Sequence, residues 1–432
     1  MNKTMIPTKK QLSFLEWEMG VFIHFGIRTF FEGHVDWDKK PMSLSAFTPC
    51  ESFTDEWMKV ITAAGFKYAI LTTKHHDGFC NWRTKTNKNN VAYTPWKNGE
   101  GDVVSDFVNS CRKYGVKVGL YYSPAEWDFE KRDPKEFDDY VAEQLTELMT
   151  NYGEIDYIWF DDCGSDKHVY DSERYVKIMR DNQQGIRIFN VWDPDVLWAH
   201  NEGSIGGFEL PKVVAFDMTK MTNVPKNLHD GKIDENKNVP IFETVTVHDP
   251  DEYFIPIECN SRMRKINWFY SDFDEDTVKT PEEIMGLYYY SVGNGANLLI
   301  NVGPDRNGLF PEADSNSLIT FGNNLKERFA RPVKARTDVI GSNIVITPER
   351  YEPINHIILE EDIENGEMIT EFEIRPVGRQ IFNMPVIYRG KYVGKKRIIA
   401  VPPISAEAFV IKITKKRGEF KLKKCELHYI KQ

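Results

Sequence analysis

The sequence predicts an α/β protein, a (β/α)8-like barrel followed by a C-terminal β-sandwich, and three observations carry that prediction. Short, continuously apolar runs alternate with amphipathic stretches over most of the chain, as in a parallel sheet covered by helices. After Pro332 the pattern changes to short strand-like runs separated by turn signals. The chain, at 432 residues and 41% hydrophobic, exceeds one compact domain, so a barrel over residues 1–332 and a sandwich over 333–432 are expected.

The barrel elements follow in order. Residues 19–26 read as a buried strand. Thr54 can cap a helix with Trp57, Val60, Ile61 and Ala64 on one face, ended by Gly65. The unit repeats as strand 68–73, helix 102–114 closed by Gly115, and strand 116–122. A helix opened by Asp133-Pro134 comes next, with Phe137, Val141, Leu145 and Leu148 inward, and then strand 155–160 after Gly153. Strand 186–191, helix 281–290, strand 296–302 and a helix over 312–330 complete the barrel, with long loops and irregular strands expected over 192–258. So many βα units favour a closed barrel over an open sheet. In the sandwich, strands are expected at 339–346, 356–359, 369–374, 386–388, 397–401 and 409–413.

Composition excludes several function classes. A net charge of −10 without a basic stripe argues against nucleic acid, and no GxGxxG or P-loop opens a helix. The six cysteines are scattered and read as reduced thiols. No membrane partner is expected, since no segment approaches a membrane span and the first residues lack a signal-peptide core. A cytoplasmic location follows if Met1 is the natural start, secretion if a leader preceded it. The 27 Phe, 19 Tyr and 10 Trp serve packing first, but sugar rings also stack on such faces.

Barrel chemistry belongs at the carboxyl ends of strands. The first strand ends in Phe22-Ile23-His24-Phe25-Gly26, the second in Lys74-His75-His76-Asp77-Gly78-Phe79, the third in Tyr121-Tyr122-Ser123 and the fourth in Trp159-Phe160-Asp161-Asp162. His24 alone reads as a satisfied core histidine; beside His75 and His76 it reads as a ligand of substrate hydroxyls. A metal is not expected, because adjacent histidines normally diverge and no H-E-x-x-H accompanies them. Asp161 closes an otherwise apolar run, which costs free energy unless it has a function or partners; a helix cap shared with Asp162 is the equal alternative from spacing. Glu202, Glu209, Glu243 and Glu258 all follow the fourth strand, and spacing does not choose among them as a second carboxyl.

These blocks resemble glycoside hydrolase family 29, the α-L-fucosidases. The resemblance rests on residues 20–26 and 71–79, on Trp159-Phe160-Asp161, and on Asn297-Leu298-Leu299-Ile300-Asn301-Val302-Gly303-Pro304; the tail from Ile354-Asn355-His356 through Lys396-Arg397-Ile398-Ile399 is similar to the family's C-terminal sandwich. It implies that Asp161 is the nucleophile of a retaining hydrolysis of fucosylated oligosaccharides, that His24, His75, His76, Tyr121 and Trp159 line the sugar pocket, and that no metal or cofactor takes part.

Residues 193–203 look like the acid/base loop of the branch that cleaves α-1,3 and α-1,4 fucose, which makes Glu202 the expected acid/base. Glu258 occupies the corresponding loop of the other branch, ahead of Trp268, and both are read as substrate-binding, with Glu258 the alternative catalyst. Asp36 and Trp37, also read as substrate-binding, stand where Glu-Trp is usual in the family. Asp162 replaces a glycine, and residues 261–267 diverge from the usual approach to the tryptophan. A broad-specificity α-L-fucosidase, a hydrolase of a similar galactoside and a fucose-binding pseudoenzyme are the alternatives.

Overall fold

The structure, a computed structural model, describes residues 5–33, 36–161, 168–199, 213–215, 252–378 and 385–431. Eight strands form one parallel sheet: β1 (Met19–Ile23), β2 (Tyr68–Lys74), β3 (Lys117–Tyr122), β4 (Tyr157–Phe160), β5 (Arg187–Phe189), β6 (Leu197–Trp198), β9 (Ile257–Arg262) and β10 (Asn297–Val302). An antiparallel pair, β7 (Val213–Ala215) and β8 (Glu252–Phe254), lies between β6 and β9 in the chain. The order β5-β4-β3-β2-β1-β10-β9-β6, with a parallel bridge between Phe189 and Val196, brings the two edges together into a nearly closed barrel.

Alternation along each strand divides the side chains between two cores. Phe22, Tyr68, Ile70, Tyr121, Tyr157, Trp159, Phe189 and Leu299 pack inside the barrel. Their chain neighbours Val21, Ile23, Ala69, Leu71, Leu120, Ile158, Phe160 and Ile300 pack outward against the helices. Gly20 shares the inner face with Phe22, and a Cβ there would stand 2.3 Å from the Tyr68 ring. Helix α1 (Lys9–Leu15) closes the floor of the barrel. Its Phe14 and the following Trp17 meet Tyr157 and Tyr68 with ring centroids 5.4 and 5.5 Å apart, and Asn297 Nδ2 donates to the Phe14 carbonyl.

The covering helices are α2 (Thr54–Ala63), α3 (Val103–Tyr114), α4 (Pro134–Asn151), α5 (Ser172–Asn182), α6 (Pro281–Tyr290) and α7 (Glu312–Arg328). Asp102 and Asp133 cap α3 and α4 through backbone N–H groups, and Gly115 ends α3 at φ 70°. Thr54 does not cap α2: it is the helix's first residue, and its hydroxyl lies 2.8 Å from Ser110 Oγ. Helix α5 was not expected from the sequence because its buried face is only Tyr175 and Met179, too thin a stripe to register as a period. No helix among the described residues is long and apolar enough to cross a membrane.

Beyond the barrel lie a five-stranded antiparallel sheet, β11 (Ala335–Ile340), β12 (Asn343–Pro348), β17 (Ala408–Lys416), β14 (Ile369–Val377) and β15 (Tyr388–Lys391), and a three-stranded one, β16 (Arg397–Ser405), β13 (Pro353–Glu361) and β18 (Leu422–His428). They enclose a separate core of Ile344, Ile346, Ile357, Leu359, Phe372 and Ile411 with their neighbours. The single strand expected over 339–346 is instead a hairpin, because Gly341 takes φ 60° and turns the chain between β11 and β12. The sandwich grips the barrel through Lys396–Glu18 at 2.5 Å and through Ile358 and Ile398, which join the barrel's outer core.

Candidate active site

The inner-face alternation that buries Tyr157 and Trp159 carries on to Asp161, the first residue past β4, so its side chain emerges at the carboxyl end of the barrel. The same rule brings His24 past Phe22, and Tyr121 and Asn301 along β3 and β10. Asp161 meets its neighbours there: Tyr121 Oη donates to Asp161 Oδ2 at 2.8 Å, and His76 Nε2 lies 3.6 Å from the same oxygen. The Asp161 side chain is 22% exposed, so the carboxylate keeps a path to solvent.

The other predicted residues gather around this pair. The His75 ring stacks on Tyr121 at 5.6 Å, and Trp37 stacks on His76 at 4.7 Å. His24 lies against Trp268, ring centroids 5.0 Å apart, and its Nδ1 is 2.5 Å from Asn301 Oδ1. Burial pushes the His24 imidazole down to about 3 and His75 well below the usual range, so both rings are neutral at ordinary pH. Asp36 lies beside them, ion-paired with the Arg28 guanidinium at 2.5 Å. Trp159 stacks on Phe189 at 4.2 Å and on Tyr121 at 5.5 Å, forming an aromatic wall below the carboxylate.

The turn that carries the histidines is braced from behind. Strand β2 shifts register between Thr72 and Lys74, and the buried Lys74 ammonium reaches Glu126 at 3.1 Å, over the Tyr122 and Tyr140 rings. Glu126 also accepts from Arg132 at 2.6 Å and from Tyr140 Oη at 2.8 Å. The divergence expected of His75 and His76 does not occur: their centroids are 4.3 Å apart, and with Asp161 they bring one ligand atom each within 4.8 Å. Those three groups could hold a divalent ion. Arg28 Nη1, 3.5 Å from His75 Nδ1, places a positive charge next to such an ion and opposes it.

The model of the α-L-fucosidase family matches residues 3–328. The chain belongs to that family. α-L-Fucosidase 1 of Arabidopsis thaliana is 29% identical over 348 residues, covering 78% of this chain and 64% of its own length. The tissue α-L-fucosidase of Mus musculus is 25% identical over 351 residues, covering 72% of this chain and 68% of its own length. The crystal structure of a glycoside hydrolase 29 family member from an unknown rumen bacterium superposes with a TM-score of 0.86 at 26% identity, over 100% of this chain and 78% of that one. This chain thus spans about two thirds of the length of the two curated relatives.

Glu202 and Asp162 lie outside the described residues, as do Glu209 and Glu243. Glu258 was expected on a loop; it is instead the second residue of β9, paired in register with Asn297 at the floor end of the barrel. It is 0% exposed, with Tyr68 Oη donating to Oε2 at 2.7 Å and Trp159 Nε1 donating to Oε1 at 3.0 Å. Burial pushes its carboxyl up to about 7.

The sequence reading missed Arg28, Ser123 and Asn301 as parts of the site. Asn301 was legible in principle, as an amide in the apolar run Leu299-Ile300-Asn301-Val302 on the inner-face alternation. Ser123 closes a strand end already singled out, though with no role given to it, whereas Arg28 carries no such signal because its contacts come from a turn whose path depends on the whole barrel.

Proposed function

We propose that this family member is a retaining α-L-fucosidase that removes terminal α-linked L-fucose by double displacement. The observation that carries the reading is the setting of Asp161: a strand-end carboxylate, partly open, held by Tyr121 Oη, with His76 beside it and Trp159 below. An Asp161 oxygen attacks the anomeric carbon as the glycosidic C–O bond breaks, and Glu202 gives its proton to the leaving oxygen. Water then attacks the same carbon, its proton passes to Glu202, and the bond to Asp161 breaks, releasing fucose with its configuration retained.

Two features support Glu202 as the acid/base. Strand β6, parallel to its barrel neighbour, ends at Trp198, four residues before Glu202 in the chain, so Glu202 follows the carboxyl end of a barrel strand in sequence as Asp161 does. The other candidate, Glu258, is enclosed with both oxygens already accepting hydrogen bonds. The likeness of residues 193–203 to the α-1,3/1,4 branch extends the reading to Lewis-type glycans as substrate. The same reading takes residues 1–332 as the catalytic unit and 333–432 as its support, in keeping with the two separate apolar cores.

The test is hydrolysis of an aryl α-L-fucoside beside Lewis-type and α-1,2-linked trisaccharides, with NMR detection of the first anomer formed. Release of the α-anomer, chiefly from the Lewis-type sugars, is expected. The β-anomer would overturn the retaining mechanism, and no release from any of them would leave a fucose-binding protein. Glu202→Ala should lose roughly 10²-fold or more in rate on Lewis-type sugars. Azide should restore its turnover of the aryl fucoside; rescue of Glu258→Ala instead would transfer the role.

A further inference from the structure

Two of the pocket histidines are each tied, through one intermediate polar side chain, to a backbone carbonyl. His76 Nδ1 lies 2.7 Å from Ser123 Oγ, and Ser123 Oγ lies 2.6 Å from the Ala125 carbonyl oxygen. A carbonyl can only accept, so the single hydroxyl proton of Ser123 is committed to Ala125, and Ser123 can only accept from His76. His76 therefore carries a proton on Nδ1. The second case runs in parallel: Asn301 Nδ2 donates to the Trp268 carbonyl at 2.7 Å, which fixes the amide with Oδ1 toward His24. The reverse orientation would set two acceptors 2.7 Å apart. His24 Nδ1 is therefore also the protonated nitrogen.

His75 has the opposite arrangement. Its Nδ1 stands 3.5 Å from Arg28 Nη1, a group that only donates, so the proton of this neutral ring is on Nε2.

We infer that Ser123 and Asn301 are positioning residues that hold His76 and His24 as Nδ1–H tautomers, so that both offer a bare Nε2 to sugar hydroxyls while His75 offers an N–H. The pocket then selects its sugar by accepting two hydroxyl protons and donating one. His76 Nε2 lies 3.6 Å from the Asp161 carboxylate, so a single sugar hydroxyl can reach both groups. Both assigning bonds are buried, since Ser123, Asn301, His24 and His76 are each at most 3% exposed, so water does not compete for them.

This inference rests on the proposed sugar-binding role of the site, but its primary test does not need activity. Long-range 1H–15N NMR on the 15N-histidine protein near pH 8, with signals assigned by single His→Gln variants, reads each tautomer directly. Protonated Nδ1 for His24 and His76 and protonated Nε2 for His75 are expected, with L-fucose moving the bare Nε2 signals of the first two. A proton on Nε2 of either His24 or His76 in the sugar-free protein overturns the inference and leaves the proposed function standing, since that is decided by sugar release and Asp161→Asn.

Kinetics supply the second arm. Ser123→Ala should raise KM about tenfold, the worth of one hydrogen bond, with a smaller change in kcat. Ser123→Thr, which keeps the hydroxyl, should recover most of that loss. Equal losses in the two variants, with both folded by thermal melting, would show that the hydroxyl does not act through His76.

Discussion

Asp161 and Glu258 lie at opposite ends of the barrel's inner face, and their surroundings give them opposite characters. At the mouth, Asp161 is 22% exposed and accepts from Tyr121, with the His76 Nε2 at 3.6 Å. At the floor, Glu258 is 0% exposed and accepts from Tyr68 and Trp159, above the Phe14 and Trp17 plug. A partly solvated carboxylate is stabilised as an anion and can attack carbon. A carboxyl sealed among aromatic rings pays the full desolvation cost of its charge, which is why burial raises Glu258 to about 7. The indole of Trp159 belongs to both settings: its N–H is committed to Glu258, and its ring stacks on Tyr121 under Asp161. The floor acid thus reaches the mouth through the pocket wall, by holding the Trp159 indole.

Substitutions at the two ends should separate these characters, beginning with the largest effect. Asp161→Asn should lower aryl fucoside hydrolysis at least about 10³-fold without lowering the melting temperature; a smaller loss would break the contrast at its strongest point. Glu258→Gln should reveal itself in stability. The folded-state pKa of Glu258 is raised from 4.5 to about 7, so the native protein binds this proton more tightly than the unfolded chain. Wild-type stability should therefore fall as pH rises through that window, a term the glutamine lacks. Between pH 5 and 8, urea melts should show the variant gaining on the wild type by roughly 2–3 kcal/mol, whatever its absolute deficit. A pH-independent difference would show that the Glu258 carboxyl is not held up by burial at the floor.

Tyr121→Phe sharpens the comparison from the mouth side. Losing the Tyr121 hydroxyl that donates to Asp161 Oδ2 should lower kcat roughly tenfold, read on the same aryl fucoside. Smallest of all in its effect on activity should be Gly20→Ala, which sets a methyl group against the Tyr68 ring at the floor. A cost of about 1–3 kcal/mol in stability is expected, with kcat little changed.

How much of this was legible in the chain varies with the range of the interaction. The βα alternation, the helix starts at about Asp102 and Asp133, and the strand-end positions of His24, His75 and Asp161 follow from local signals that need no tertiary context, although the cap expected at Thr54 did not form. The same local reading failed at α5, whose buried face is two residues, and at β11–β12, where one glycine turned an expected single strand into a hairpin.

The sequence by itself determined the family, the barrel and the strand ends that carry its polar residues, because motif identity and hydrophobic period are properties of neighbouring residues. Only the tertiary structure decided that Glu258 lies at the floor, that Arg28 pairs with Asp36, and that Ser123 and Asn301 meet His76 and His24. Except for Arg28 with Asp36, those partners are 47 to 277 residues apart or set by strand register. Hydrogen-bond partners and burial at such separations depend on the closure of the barrel, which no local period encodes.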